Sequence, residues 1–211
     1  KEYRRQRQMC IRDSHMGYCT IKSRAGPGAV AGSRAVAREK MISAEYVHLL
    51  ARYNRWMNDK VYAASAQLSD AQRKADQGAF FKSIHTTLNH LIWGDAMWLG
   101  RFTKASAAPW PMPVTPVGAD VYVEWDALRQ ARHELDQAII HWSATVDTAW
   151  LAQDFSWYSG LTKSTRSLPA WQLVSHMFNH QTHHRGQVTT LLSQHHIDPG
   201  ATDLMLMPKE A

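Results

Sequence analysis

Residues 173–191, LVSHMFNHQTHHRGQVTTL, contain four histidines within a pattern that predicts a long amphipathic helix. Apolar residues at Leu173, Met177 and Leu191 follow the spacing of one helix face. The same stripe passes through positions 180, 184 and 187, which carry polar side chains. Burying polar side chains in an apolar stripe costs free energy unless they bind a hydrogen-bond partner or an ion. This helix therefore indicates both how the chain packs and where a binding site lies.

The four histidines point in different directions around this helix. At about 100° per residue, the centre of the apolar stripe lies about 20° from both His180 and His184. His176 and His183 lie about 60° and about 80° from that centre. Two imidazoles at positions i and i+4 are neighbours that can bind one ion. Because Gln187 follows them inward, we interpret His180 and His184 as metal ligands rather than as hydrogen-bonded core histidines.

Three earlier segments show the same helical spacing. The first begins at Ser43 and closes at 68–70, the second covers about 78–102, and the third covers about 121–145. The last helix is predicted to use Ser167 as its cap, with Pro169 in its first turn, and to reach about His195. The proline-rich stretch APWPMPVTPVG (108–118) separates the second predicted helix from the third. The sequence therefore predicts an all-α four-helix bundle with one long crossover.

Residues 155–167, FSWYSGLTKSTRS, lie between the third and fourth predicted helices. Their polarity alternates weakly around Gly160. A short hairpin and an irregular loop agree equally well with this pattern.

A third metal ligand would have to come from another helix. The second helix offers His85 and His90, within SIHTTLNHLIWGDAMWLGRF (83–102). Neither lies on the apolar stripe of that helix. His90 shares a side with Thr87, Gly94 and Met97, where small residues permit the close approach of another helix. Spacing alone leaves the choice between the two histidines open.

Residues 1–40 differ from the rest of the chain. Their string RRQRQMCIRDS (4–14) corresponds to a transposase-type sequencing adapter translated in frame, and the following residues show no helical or strand periodicity. We therefore expect 1–40 to be a non-native or disordered segment that contributes nothing to the core. Met41 is the expected natural start, and 41–211 the expected single domain.

The charge of the chain is unevenly distributed. Residues 1–40 contain ten of the 24 Lys and Arg and three of the 18 Asp and Glu, so the net charge of +6 becomes −1 in 41–211. The basic signal that would suggest nucleic acid or an anionic membrane thus comes from the N-terminal segment, and we expect neither partner. Both cysteines, Cys10 and Cys19, also lie there. A domain without cysteine agrees with a cytoplasmic location.

Four segments, taken in order, resemble the DinB family of four-helix-bundle metalloproteins. They are YNRWMNDKVY (53–62), FKSIHTTLNHLIWGDAMWLGRF (81–102), HMFNHQTHHRGQV (176–188) and DPGATDL (198–204). The resemblance covers about 42–206 and excludes the N-terminal segment.

The resemblance implies a ligand set that spacing alone leaves open. The family binds its metal through three residues, which match His90, His180 and His184. His183 occupies a position that is often Tyr in the family, just before the last ligand, so the resemblance implies that it is not a ligand. His85 lies where the family varies, and His176 recurs in the family without being a usual ligand.

The resemblance also suggests a function. Better understood relatives are thiol-dependent transferases and isomerases that use bacillithiol or mycothiol. Three protein ligands leave a position of the metal open, as in catalytic sites. The expectation is therefore a homodimeric enzyme with a divalent metal (Zn, Ni or Fe), which transfers a low-molecular-weight thiol to a small-molecule substrate. The alternatives are a metal-dependent hydrolase and a non-catalytic metal-binding stress-response bundle.

Four further residues have open roles. Asp95 lies on the stripe of the second helix, where it either accepts a hydrogen bond from an imidazole or pairs with a buried arginine. Arg185 and Gly186 are expected to serve helix packing and salt bridging, with substrate binding as the alternative. Gln187 is expected to hydrogen-bond either a ligand or a bound substrate.

Overall fold

The computed structural model describes residues 42–160 and 162–209. The expectations for residues 1–40 and for a start at Met41 concern parts of the chain outside the described residues. The described elements, in chain order, are α1 (Ala44–Ser65), α2 (Asp70–Lys74), α3 (Ile84–Thr103), α4 (Trp125–Thr145), α5 (Thr148–Ala152), β1 (Asp154–Ser159), β2 (Ser164–Pro169), α6 (Ala170–Ser193) and the 3₁₀ helix Leu204–Leu206. The four long helices confirm the predicted all-α bundle. Among the described residues, no helix has the length and apolar character needed to cross a membrane.

Each long helix packs closely against two others. α1 contacts α4 and α6, and α3 contacts the same two helices, so the order around the bundle is α1, α4, α3, α6. α1 and α4 run antiparallel, because Asn58 bonds to Asp136 while the earlier His48 bonds to the later Ser143. α1 and α3 therefore occupy diagonal positions although they follow each other in the chain.

α3 and α4 are neighbours that run in the same direction. Asp95 pairs with Arg132 at 2.7 Å, and seven residues later along α3 the ring of Phe102 stacks on Trp142 with centroids 5.1 Å apart. A chain that leaves the end of α3 must consequently return along the bundle before α4 begins. The proline-rich segment 104–124 makes this return, which confirms the predicted crossover.

Side chains of α3 fix the path of the crossover. The indole N–H of Trp93 donates to the carbonyl of Thr115 at 2.9 Å. The Asn89 side chain accepts from the Tyr122 N–H at 2.8 Å and donates to the Tyr122 carbonyl at 3.1 Å. Asn89 and Trp93 both lie on α3, at buried and half-buried positions. The crossover is therefore held against the same helix that carries His90.

The second predicted helix begins later than 78, and that prediction was wrong at its start. α3 begins after Ser83, whose hydroxyl accepts from the Thr86 N–H at 3.1 Å as an N-cap. The preceding residues form a tight turn, in which Gly78 and Lys82 have φ angles of 77° and 66°. The predicted start was too early because Phe81, which lies in this turn, is at helical spacing from the apolar residues of α3.

The segment before α6 is a β-hairpin, one of the two alternatives that the sequence left open. β1 and β2 pair antiparallel from Asp154↔Pro169 to Ser159↔Ser164. The prediction that Ser167 caps the last helix was wrong, because strand pairing turns its hydroxyl towards that of Ser156, 3.0 Å away. Pro169 takes the N-cap position and has no side-chain cap bond.

A buried ion cluster links α3 and α4 in the centre of the bundle. Arg132 donates to Asp95 at 2.7 Å and to Asp136 at 3.0 Å, and its Nη2 forms an ion pair with Asp136 at 2.8 Å. Asn58 of α1 donates to Asp136 at 2.9 Å. The two carboxylates hold the pKa of Arg132 above its ordinary value even though burial opposes the charge. Of the two roles open to Asp95, the structure shows the pair with a buried arginine.

A second buried arginine extends this cluster to α6. Arg185 donates to the side-chain oxygen of Asn54, to that of Asn58 at 3.4 Å and to that of Gln181 at 3.3 Å. The expected packing role agrees with this position, but the expected salt bridging does not. Among the described residues, its hydrogen-bond partners are amide and hydroxyl oxygens rather than carboxylates.

The ion cluster predicts a large difference between two arginines of α4. Arg132→Met would leave Asp95 and Asp136 buried without a cation, so we expect the free energy of unfolding to fall by about 3–5 kcal/mol in urea titrations. Arg129→Met, at a half-exposed position of the same helix, is the control and should change it by less than about 0.5 kcal/mol. Equal effects of the two substitutions would contradict the importance of the cluster.

Candidate metal centre

The structure brings together His90 of α3 and His180 and His184 of α6. Each offers one imidazole nitrogen, and the three nitrogens lie within 4.8 Å of one another. The Nε2 atoms of His90 and His180 are 3.0 Å apart, and the rings of His180 and His184 have centroids 4.4 Å apart. Residues separated by 90 positions in the chain therefore form one compact group.

The donor set and its spacing fit a divalent metal ion. Zinc–nitrogen bonds of about 2.0–2.1 Å with angles of about 90–110° separate two ligand nitrogens by about 2.9–3.4 Å, which includes the 3.0 Å between His90 and His180. Two facing nitrogens at this distance can share one proton, or both can direct lone pairs at a cation. Imidazole nitrogens suit Zn²⁺, Ni²⁺ and Fe²⁺.

Gly94 makes the space in which His180 lies. A Cβ atom placed on Gly94 would be 2.9 Å from Cε1 and 3.3 Å from Nδ1 of His180, closer than side chains normally approach. The absence of a side chain on α3 thus allows the His180 ring to reach towards His90. This agrees with the expectation that small residues on the His90 side of the helix permit close approach.

Gln187 orients the His184 ring. Its side-chain oxygen lies 2.7 Å from Nδ1 of His184 and must accept the hydrogen bond, because an amide oxygen has no proton to give. Nδ1 therefore carries the ring proton, and the lone pair of Nε2 is free for a metal. The amide nitrogen of Gln187 donates in turn to Nε2 of His183, 3.3 Å away.

Phe81 covers two of the three histidines. Its ring stacks on His90 with centroids 4.0 Å apart and meets the edge of His184 at 5.5 Å. His90 and His184 are 7% and 4% exposed, whereas His180 is half-buried. By accessible surface, His180 is therefore the most exposed of the three histidines.

The surroundings keep the three imidazoles neutral at physiological pH. Burial lowers the pKa of His90 to about 3, with the neighbouring His184 acting in the same direction. Burial lowers the pKa of His184 to about 4, partly opposed by its bond to Gln187, and holds the pKa of His180 well below its usual range. Only neutral imidazole has the lone pair that binds a metal, so the site stays in its ligating form.

Three further histidines on α3 and α6 lie outside the group of three ligand nitrogens. His85 is buried, and its Nε2 lies 3.0 Å from the carbonyl of Tyr122, where it helps to hold the crossover. His183 is exposed on the outer side of α6 beside Gln187. The ring of His176, also exposed, meets the edge of Trp98 at 5.6 Å. The group of three ligand nitrogens contains none of them.

The sequence interpretation missed the role of Phe81. The predicted helix over about 78–102 included Phe81, whereas the residue lies in the turn before α3 and contacts His184 of α6. Ser83, a residue type that favours N-caps, was the signal that separated the turn from the helix.

A sequence model of the DinB family matches residues 41–211. The chain belongs to the DinB family. This confirms the resemblance carried by the four segments, and within this DinB protein two of those segments supply the three converging histidines. Searches of curated proteins and of solved structures found no significant match.

The contact between Gly94 and His180 yields a matched pair of glycine substitutions. Gly94→Ala would displace the His180 ring, and we expect the dissociation constant for Zn²⁺ to rise at least tenfold in competition titrations with a chromophoric chelator. Gly186→Ala on α6 meets no atom within 4 Å and should leave that constant unchanged within about twofold, because alanine also favours helix. Similar constants for the two variants would contradict the packing argument.

The lowered pKa values predict how Zn²⁺ affinity depends on pH. Since His90 and His184 titrate near 3 and 4 rather than 6.5, protons compete with the metal only in acid. We expect the dissociation constant, corrected for buffer binding, to stay nearly constant from about pH 7.5 to about pH 5.5 and to rise below about pH 4.5. A tenfold rise between pH 7 and pH 6 would contradict the neutral state of the site.

The free energy of unfolding of the metal-free protein also decreases in acid. The unfolded chain takes up protons at the ordinary value of 6.5, before the folded site does. The contribution of these histidines to the free energy of unfolding is therefore complete above pH 6.5 and decreases as the pH falls towards 3.

Proposed function

We propose that His90, His180 and His184 bind one divalent ion, Zn²⁺, Ni²⁺ or Fe²⁺, and that this DinB protein is a metal-dependent transferase using a low-molecular-weight thiol as cosubstrate. The observation that supports this most is the convergence of three neutral imidazole nitrogens within 4.8 Å, with one ring partly open to solvent. Three protein ligands leave room for a small molecule to complete the coordination.

The thiol in this proposal comes from outside the domain. Residues 41–211 contain no cysteine, so no side chain within the matched region can act as a thiolate nucleophile. A divalent ion at this position would lower the pKa of a bound thiol and so supply a nucleophile at neutral pH.

The side chains around the three histidines have separate tasks in this proposal. Gln187 keeps the Nδ1 proton of His184 in place, so that Nε2 remains the ligand atom. Phe81 excludes water from the rear of His90 and His184, which strengthens electrostatic interactions inside the site. The half-buried ring of His180 marks the side from which thiol and electrophile would enter.

Alanine substitutions test the ligand assignment. Protein purified without a histidine tag should contain close to one divalent ion per chain by elemental analysis. His90→Ala, His180→Ala and His184→Ala should each raise the dissociation constant for Zn²⁺ by about 100-fold or more, because two ligands remain. His183→Ala and His85→Ala are the controls and should retain the ion. Binding that survives His180→Ala, or that requires His183, would overturn the assignment.

A thiol screen tests the reaction class. The metal-loaded protein is incubated with bacillithiol, mycothiol or glutathione and a panel of electrophiles, and adducts are measured by mass spectrometry. We expect an adduct with at least one thiol that disappears in His180→Ala. Turnover that proceeds without thiol and incorporates water would indicate a hydrolase, and stoichiometric metal binding without turnover would favour a non-catalytic bundle.

We also propose that the protein is a homodimer, an expectation carried by the family resemblance. Light scattering at micromolar concentration should give about twice the chain mass of 24.0 kDa. A mass equal to one chain would contradict this proposal without affecting the metal site.

A further inference from the structure

A cavity lies at the far end of the bundle from the histidines. It has a volume of about 530 Å³, opens to solvent on one side and is bordered by the final turns of α3 and α4, by α5 and by the start of the crossover. Phe102, which lines it, is twelve residues beyond His90 on α3, about 18 Å along the helix axis. None of the three site histidines lines this cavity.

Aromatic rings form much of the cavity wall. Phe102 and Trp142 stack with centroids 5.1 Å apart and planes 13° apart, and Trp150 meets both rings edge-on at 5.6 Å and 6.0 Å. Trp142 is only 6% exposed. The wall is therefore largely aromatic, with Trp110 and Trp150 half-buried beside these two rings.

The cavity lining is almost free of charge. It contains no Lys, Arg, Asp or Glu, and its one titratable residue is His141, which is exposed. A charged ligand would lose the strong hydration of its charge without gaining an ionic partner in the cavity. A neutral ligand has no such charge to desolvate, so it avoids this cost. The lining thus selects against ions and in favour of uncharged molecules.

The crossover closes one side of the cavity in a defined position. The backbone N–H of Trp110 donates to the Thr103 hydroxyl at 2.8 Å. A Cβ atom on Gly100 would lie 2.7 Å from Sδ of Met112 and 3.0 Å from the Trp110 carbonyl, so only glycine allows the crossover to lie this close to α3. The position of Trp110 as a wall is consequently fixed by two separate contacts.

We propose that this cavity binds a small, uncharged aromatic molecule of one to three rings. Its volume is within the range of about 300–1,000 Å³ that is typical of small-molecule sites. Contact with the aromatic wall, in which Trp110 and Trp150 are half-buried, provides affinity for a ligand with aromatic rings. The proposal is independent of the metal and of the thiol reaction.

Two fluorescent probes that differ in one charged group test the proposal on the full chain. N-phenyl-1-naphthylamine is neutral, and 1-anilinonaphthalene-8-sulfonate is the same framework with a sulfonate. We expect saturable binding of the neutral probe with one site per chain and energy transfer from tryptophan. The sulfonate should bind at least tenfold more weakly. No saturable binding of the neutral probe, or equal binding of both probes, would overturn the proposal.

Two alanines on the same face of α4, two turns apart, locate the binding. Ala138 lines the cavity and Ala131 does not, although both are half-buried and lie about 20° apart around the helix. Ala138→Phe should weaken binding of the neutral probe at least tenfold, whereas Ala131→Phe should preserve it within threefold. Equal binding by these two variants would place the probe elsewhere and overturn the proposal.

A second cavity variant and the effect of Zn²⁺ on probe affinity complete the test. Ser106→Trp blocks the cavity from the exposed crossover side, so it should weaken binding even if Ala138→Phe proves unstable by circular dichroism. Probe affinity should be the same with Zn²⁺ and with a chelator. Competition between Zn²⁺ and the probe would assign the probe to the histidine site and overturn the cavity proposal, whatever the outcome for the proposed transferase.

Discussion

The close approach of α3 and α6 at Gly94 is the constraint on which the rest of the molecule depends. A ring atom of His180 lies where the side chain of any other residue at position 94 would be. The two helices can therefore be near enough for imidazoles from both to converge, and Phe81 can reach both from the turn before α3. A larger residue at position 94 would displace the His180 ring from the candidate site.

The buried ion cluster fixes the axial register at which this approach occurs. Asp95 is one residue beyond Gly94 on α3, and Arg185 is one residue beyond His184 on α6. Arg132, Asp136 and the two asparagines of α1 connect these positions through hydrogen bonds in the bundle centre. A sliding of any helix would leave a buried charge without its partner, which costs several kcal/mol.

The sequence predicted the apolar faces of the four helices well, because each face follows a single period that burial requires. It also selected His180 and His184, which straddle the centre of such a face. His90 needed the family resemblance, since it lies off the apolar stripe of α3 and faces α6 through a side of small residues. Gln181 and Arg185 form a second, polar contact face of α6 towards α1, and apolar periodicity carries no signal for such a face. Phe81 and Arg132 act across helices, so only their tertiary partners reveal what they do.

The parallel run of α3 and α4 has a consequence for how the chain folds. α1 and α3 are diagonal, α3 and α4 are parallel, and α4 and α6 are diagonal, so no two successive long helices can close as an antiparallel helical hairpin. The packing of α1 on α4 and of α3 on α6 joins segments that are far apart in the chain. Folding rates fall as the mean sequence separation of contacts rises, because long loops must close before contacts compensate for the lost entropy. This bundle should accordingly fold more slowly than an up-and-down bundle of equal length, and a nascent chain that ends before α6 would expose the polar centre of the core to water.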